Sequence, residues 1–187
     1  MRAIAILHEG KKDNLEQVLL LQLLQELKLP SEKCQLYAMG SKSNFFKSEH
    51  VNYQRLGDLV NADQVDKILF VLDADDAKND VKFGGYDNTS THIQSMINTL
   101  GWQAISDFYI VCNPGTSSGY LESLVLASLP EHQRLCINNF LSCSEFRAKD
   151  HHKDIYRVIY EIAFPQAPWN FQHPHFQLLK EKLQALF

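Results

Sequence analysis

No stretch of this chain approaches the roughly 18 consecutive apolar residues that a membrane-spanning helix needs. Cysteine is scarce: Cys34, Cys112, Cys136 and Cys143 are scattered, with no Cys-x-x-Cys pair. That spacing argues against a zinc site and against a disulfide framework, and Cys112, inside an apolar run, reads as a small core residue. Positive charge is also in short supply, since 18 Lys and Arg against 22 Asp and Glu leave a formal net charge of -4. Phosphate neutralisation supplies non-specific nucleic-acid affinity, so this balance argues against a DNA-coating or architectural role while leaving local basic patches open. There is no internal repeat and no low-complexity tract. The apolar start Met1-Arg2-Ala3-Ile4-Ala5-Ile6-Leu7 gives way at once to His8-Glu9-Gly10-Lys11-Lys12-Asp13, not to the longer apolar segment of a signal peptide. The expectation is a cytoplasmic protein, free of any membrane, whose first strand begins almost at Met1.

What is present is a core-forming composition. With 187 residues and 45% hydrophobic content, the chain can bury a core as one domain. Ala3 to Leu7 reads as a strand and Asn14 to Leu27 as a helix, with apolar positions at three- and four-residue spacing. Asp13 or Asn14 is placed to cap that helix, Glu16 adds first-turn charge, and Pro30 closes it. Gln35 to Met39 is a second strand and Gly40 to Asn44 a loop. Asn52 to Val60 is poorly patterned, a short helix or a loop. Ile68 to Leu72 is a strand and Ala77 to Asn88 a long loop with turn signals. A helix capped by Thr89 or Ser90 then spans His92 to Leu100, ended by Gly101. Phe108 to Cys112 is a further strand, and Tyr120 to Leu129 a helix stopped by Pro130. This cadence predicts an α/β fold with a mainly parallel sheet and helices on both faces. The last third predicts a helical appendage. Cys143 to Ala163 reads as helical, Trp169, Phe171 and Phe176 as aromatic anchors among Pro165, Pro168 and Pro174, and Phe176 to Leu186 as a short helix. The anchors could pack on their own domain or on a second subunit in a homodimer or larger complex.

The stretch with most chemical content is Lys67-Ile68-Leu69-Phe70-Val71-Leu72-Asp73-Ala74-Asp75-Asp76. Five apolar residues fit a strand buried on both faces, and three carboxylates follow where it ends, the edge at which open α/β sheets bind ligands. Asp73 and Asp75 point the same way while the chain stays extended, and their mutual repulsion argues for a cation between them. The plainer reading is a polar strand exit rich in turn formers. Glu9 follows the first strand; if strands one and three are neighbours, three carboxylates meet at one edge, an oxygen set suited to Mg²⁺. Glu9 could instead cap the first helix, a role that can coexist with ligation. Glu122, in the first turn of a helix, reads from its position as an ordinary helix-start glutamate.

Asn113-Pro114-Gly115-Thr116-Ser117-Ser118-Gly119 could wrap a phosphate with backbone amides, although the Gly-Lys-Ser/Thr ending of a P-loop is absent and a solvent-facing loop is the simpler reading. Lys11, Lys12, Lys42, Lys78 and Lys82 could form a basic rim despite the acidic total. Lys149 and Lys153, near His151 and His152, could set positive charge over a phosphate, or form a wet helical face.

Glu9-Gly10-Lys11-Lys12-Asp13 and Asp73-Ala74-Asp75, each behind an apolar strand, resemble the two signatures of a Toprim domain: a Glu in the first strand–helix turn and an Asp-x-Asp after a later strand. The chain looks nearest to small stand-alone bacterial Toprim-like proteins related to the nucleases of overcoming-lysogenization-defect type. The likeness implies a Rossmann-like core over residues 3–130, with 131–187 as the helical extension of a single domain. It implies that Glu9, Asp73 and Asp75 hold Mg²⁺ (or Mn²⁺ in its place) and carry catalysis, Glu9 also handling a proton, and that Glu122 builds a second metal position. His8 departs from the small aliphatic residue usual before that Glu. The implied activity is metal-dependent phosphodiester hydrolysis on DNA or RNA. The alternative is a non-catalytic Toprim-like module that binds a nucleotide or a partner protein. A haloacid-dehalogenase-like phosphatase ranks below both, because its Asp-x-Asp follows the first strand and here the motif follows the third.

Overall fold

Four apolar runs become parallel strands because their side chains alternate between two buried faces. In the computed structural model, which describes residues 2–11, 14–143 and 169–187, these are β1 (Ala3–His8), β2 (Cys34–Ala38), β3 (Val65–Asp73) and β4 (Ser106–Val111). Their order is β2-β1-β3-β4, with every neighbouring pair parallel. The helices are α1 (Leu15–Glu26), α2 (Lys42–Phe45), α3 (Val51–Asn61), α4 (Tyr86–Leu100), α5 (Leu121–Ala127), α6 (Glu131–Cys143) and α7 (Gln177–Gln184).

Ile4 and Ile6 of β1, Leu69 and Val71 of β3, and Tyr109 and Val111 of β4 share one cluster with α1, α5 and α7. The intervening residues Ala5, Leu7, Ile68, Phe70, Leu72 and Ile110 share the other with α2, α3 and α4. Thus α1, which joins β1 to β2 in one direction along the sheet, lies on one face. The helices that join β2 to β3 and β3 to β4 in the opposite direction lie on the other face, as a uniform crossover hand demands. The result is a mixed α/β architecture of generic Rossmann-like kind, with a C-terminal helical piece. None of the described helices is long and apolar enough to cross a membrane.

Several boundaries differ from the sequence reading. The Gly40–Asn44 stretch is not all loop: Gly40 adopts φ +80° and the chain then forms α2, anchored by the fully buried Phe45. The poorly patterned Asn52–Val60 region is the helix α3. The next helix starts at Tyr86, six residues before His92, because Gly85 at φ +85° serves as its N-cap. Thr89, expected as a cap, is instead buried and donates through Oγ1 to Phe83 O at 2.6 Å. Asn14 does cap α1, accepting from the Gln17 amide. The helix expected beyond Cys143, with Lys149, His151, His152 and Lys153, lies outside the described residues, as do Lys12 and Asp13. Phe171 and Phe176 join the α1–α5 cluster, with Trp169 packed against it. Cys34, Cys112 and Cys136 are free thiols, and burial, helped by Glu32, pushes Cys34 up to about 11.

His50 closes α3 at its N-terminus, its Nδ1 accepting from the Asn52 amide at 3.3 Å. Burial, then Lys47, lowers its pKa below the ordinary 6.5. The unfolded chain therefore binds the proton more readily, so the cap's contribution is complete above about pH 6.5 and is lost as pH falls through the lower, folded value. Urea titrations from pH 7.5 down to 5 should show this acid-side loss, and His50→Asn, which caps without titrating, should flatten that part of the profile. An unchanged slope in the variant would exclude His50 as its source.

Candidate ligand site at the carboxyl edge of the sheet

Strands β1 and β3 are direct neighbours, so the residues following them meet at one edge. Glu9 Oε2 accepts from the Asp73 amide at 3.1 Å. Asp73 is the last residue of β3 and, in step with Leu69 and Val71, belongs to the face covered by α1 and α5. It is 1% exposed, and its Oδ1 accepts from the Leu121 amide at the start of α5 at 3.1 Å. A buried carboxylate that takes a backbone amide in this way joins the strand end to the helix start.

Asp75 goes elsewhere. The chain does not stay extended: Asp75 has φ +57°, a left-handed conformation that Asp tolerates better than most residues. That turn lets its backbone form a two-bond antiparallel bridge with Gly119, at 2.7 and 3.0 Å, and brings its Oδ2 to 3.3 Å from Lys42 Nζ on α2. Asp73 and Asp75 are therefore committed to helices that pack on opposite faces of the sheet. Asp76 is exposed and makes a local turn, accepting from the Lys78 amide at 2.9 Å.

A cavity of about 350 Å³ opens between the starts of α1 and α5, lined by Glu9, Gly10, Lys11, Asn14, Leu15, Glu16, Gly40, Ser41, Leu121 and Glu122. It lies over the end of β1, where the strand order reverses between the β1–β2 and β1–β3 directions, the place at which open α/β sheets form a ligand crevice. A Cβ at Gly10 would overlap the side chains of Asn14 and Glu16, which would then have to move aside. Glu16 does more than complement the helix dipole: it accepts from the Gly10 amide and, at 3.1 Å, from Asn14 Nδ2. His8 is fully buried beneath this wall, on the face of α1 and α5, with Nδ1 3.6 Å from Glu16 Oε2 and neither ring nitrogen in a hydrogen bond among the described residues.

The loop considered for phosphate closes on itself. The Gly115 amide donates to Asn113 Oδ1, the Thr116 and Ser117 amides to Asn113 O, and the Gly119 amide to Asp75 O. Those donors are thereby occupied by the protein. Of the lysines expected at a rim, Lys11 lines the cavity and Lys78 and Lys82 are exposed, whereas Lys42 is buried.

A Mg²⁺ ion requires several oxygens converging on one point. Here Asp73 Oδ1 holds the Leu121 amide, Asp75 Oδ2 faces an ammonium, and Glu9 Oε2 holds the Asp73 amide. Among the described residues no group of three His, Cys, Asp or Glu side chains is placed to hold a metal ion. That is not the oxygen set that Mg²⁺ coordination asks for. The adjoining cavity is lined by the carboxylates Glu9, Glu16 and Glu122 together with Lys11, Asn14 and Ser41, a mixed polar wall. The role of Lys42 was invisible in the sequence, where it stands among Gly, Ser and Asn. Its one local signal is Phe45 three residues on, an apolar residue that anchors the turn.

The fold and its edge site together define a Rossmann-like α/β protein. In comparisons with protein-family models, curated proteins and solved structures, nothing matches the chain.

Proposed function

We propose that this chain is a Toprim-like binding module that takes a nucleotide at the end of β1 without turning over phosphodiester bonds. The observation that carries this reading is the use the fold makes of its acidic pair: Asp73 accepts the Leu121 amide and Asp75 pairs with Lys42, so both act as struts. The adjoining cavity sits where the strand order reverses, and its volume, about 350 Å³, lies within the range of small-molecule sites. Glu9 and Glu122 supply acceptors for ribose hydroxyls and base amino groups, and Lys11 supplies charge for a phosphate. Calorimetry with a panel of nucleoside mono-, di- and triphosphates in EDTA tests it. The expected result is saturable binding with Kd of roughly micromolar to millimolar, weakened about tenfold by Lys11→Ala or Glu122→Ala, a change of about 1.4 kcal/mol. No saturable heat from any member of the panel would sink the proposal.

The second reading is a Mg²⁺-dependent nuclease acting on DNA or RNA. It is favoured by one observation: Glu9 reaches the Asp73 amide and shares a cavity with Glu122, so three of the four acidic residues gather at one edge. Divalent-dependent cleavage of nucleic acid that Glu9→Gln abolishes would place this reading first. Equal cleavage by that variant would point to a contaminating enzyme.

A further inference from the structure

We propose that Lys42 is the resident cation of this sheet edge: its tethered ammonium balances the Asp75 carboxylate and holds the exit of β3 in shape without a metal. An ammonium withdrawn from water is costly unless paired and hydrogen-bonded. Lys42 is 5% exposed, and its Nζ donates to Ala74 O at 2.7 Å and lies 3.3 Å from Asp75 Oδ2. The Ala74 carbonyl is itself a junction, since it also accepts from the Gly85 amide at 2.8 Å, while Thr89 Oγ1, whose proton goes to Phe83 O, lies 3.3 Å away. One carbonyl thus joins α2, the end of β3 and the start of α4, with positive charge on one side of it.

Two features aim the ammonium there. Gly40 at φ +80° turns the chain out of β2 into α2, and Phe45, fully buried on α2, fixes the short helix against the sheet. On the other side, the left-handed Asp75 backbone, held by its two-bond bridge to Gly119, turns the carboxylate toward α2 and away from Asp73. The repulsion expected between two nearby carboxylates is therefore relieved inside the chain, by separation and by a lysine. The assignment is independent of what the cavity over β1 binds.

Thermal melts in EDTA and in millimolar MnCl₂ test it. The wild type is expected to melt at the same temperature in both. Lys42→Met, which keeps the stem and removes the charge, and Asp75→Asn should each lower Tm by about 5 °C or more. In Lys42→Ala, added propylammonium should restore part of the loss, NaCl of equal ionic strength should not, and Lys42→Ala/Asp75→Asn should show no restoration. Three results would overturn the assignment: Mn²⁺ stabilising the wild type in a manner that Asp75→Asn removes, Lys42→Met melting like the wild type, or folded Lys42→Ala showing no amine response. If Lys42→Ala does not fold, the Lys42→Met and Asp75→Asn melts with and without Mn²⁺ decide the matter. No arm involves nucleotide, so this proposal and the binding-module reading fail on different results.

Discussion

Asp73→Ala is expected to lower the unfolding free energy by about 2–3 kcal/mol in urea titrations, with the loss unchanged by EDTA. The carboxylate is 1% exposed and its Oδ1 accepts from the Leu121 amide at 3.1 Å. Alanine would leave that amide in the interior without this acceptor, and an orphaned buried donor costs more than the net value of an ordinary hydrogen bond. The loss should reach past α5: the amide of Asp73 donates to Glu9, so slack at the end of β3 is transmitted to the end of β1. Asp73→Asn keeps an oxygen for Leu121 and should cost less, about 1 kcal/mol. If Asp73 instead held a metal in solution, EDTA would remove most of the difference between wild type and variant. A variant that unfolds like the wild type would remove the structural role altogether.

The second large effect concerns the end of the chain. Phe176→Ala should cost about 3–5 kcal/mol. Phe176 is fully buried, meets Phe171 edge-on with ring centroids 5.4 Å apart, and shares a cluster with Ile4 of β1, Leu24 of α1 and Tyr109 of β4. Deleting an aromatic ring there removes apolar burial and leaves a cavity that the sheet, being paired on both sides at β1, cannot collapse to fill. Leu178, two residues on and half exposed, is the control, and its replacement by alanine should stay within about 0.5 kcal/mol. A single urea transition that shifts with Phe176→Ala makes residues 169–187 part of the cooperative unit. Two transitions, or a loss below about 1 kcal/mol, would make them a peripheral attachment.

How far these features could be read from sequence depends on the range of the forces behind them. The strands were readable because burial on both faces demands unbroken apolar runs, and Ile68–Leu72 and Phe108–Cys112 have no other use. The capping of α1 by Asn14 was readable because the donor and acceptor are three residues apart. The start of α4 was not, because Gly84-Gly85 signals a turn in any sequence and only the packed chain uses Gly85 as a cap. The expectation that Asp73 and Asp75 share a direction rested on an extended backbone; a bridge to Gly119, 44 residues later in the chain, takes Asp75 out of that conformation. Lys42 read as a rim lysine because nothing adjacent to it is acidic, and its partners come from residues 74 and 75.

Local pattern was therefore enough to specify a mainly parallel α/β sheet and to put Glu9 and Asp73 each behind a strand, since apolar periodicity sets which runs are buried and where they end; that the two strands are neighbours was decided by the fold. The partner that each carboxylate takes was settled by packing. Whether an acidic side chain meets an amide, an ammonium or water depends on which distant backbone is brought within 3 Å or so of it, and that is a property of the assembled layers, not of any neighbouring residue.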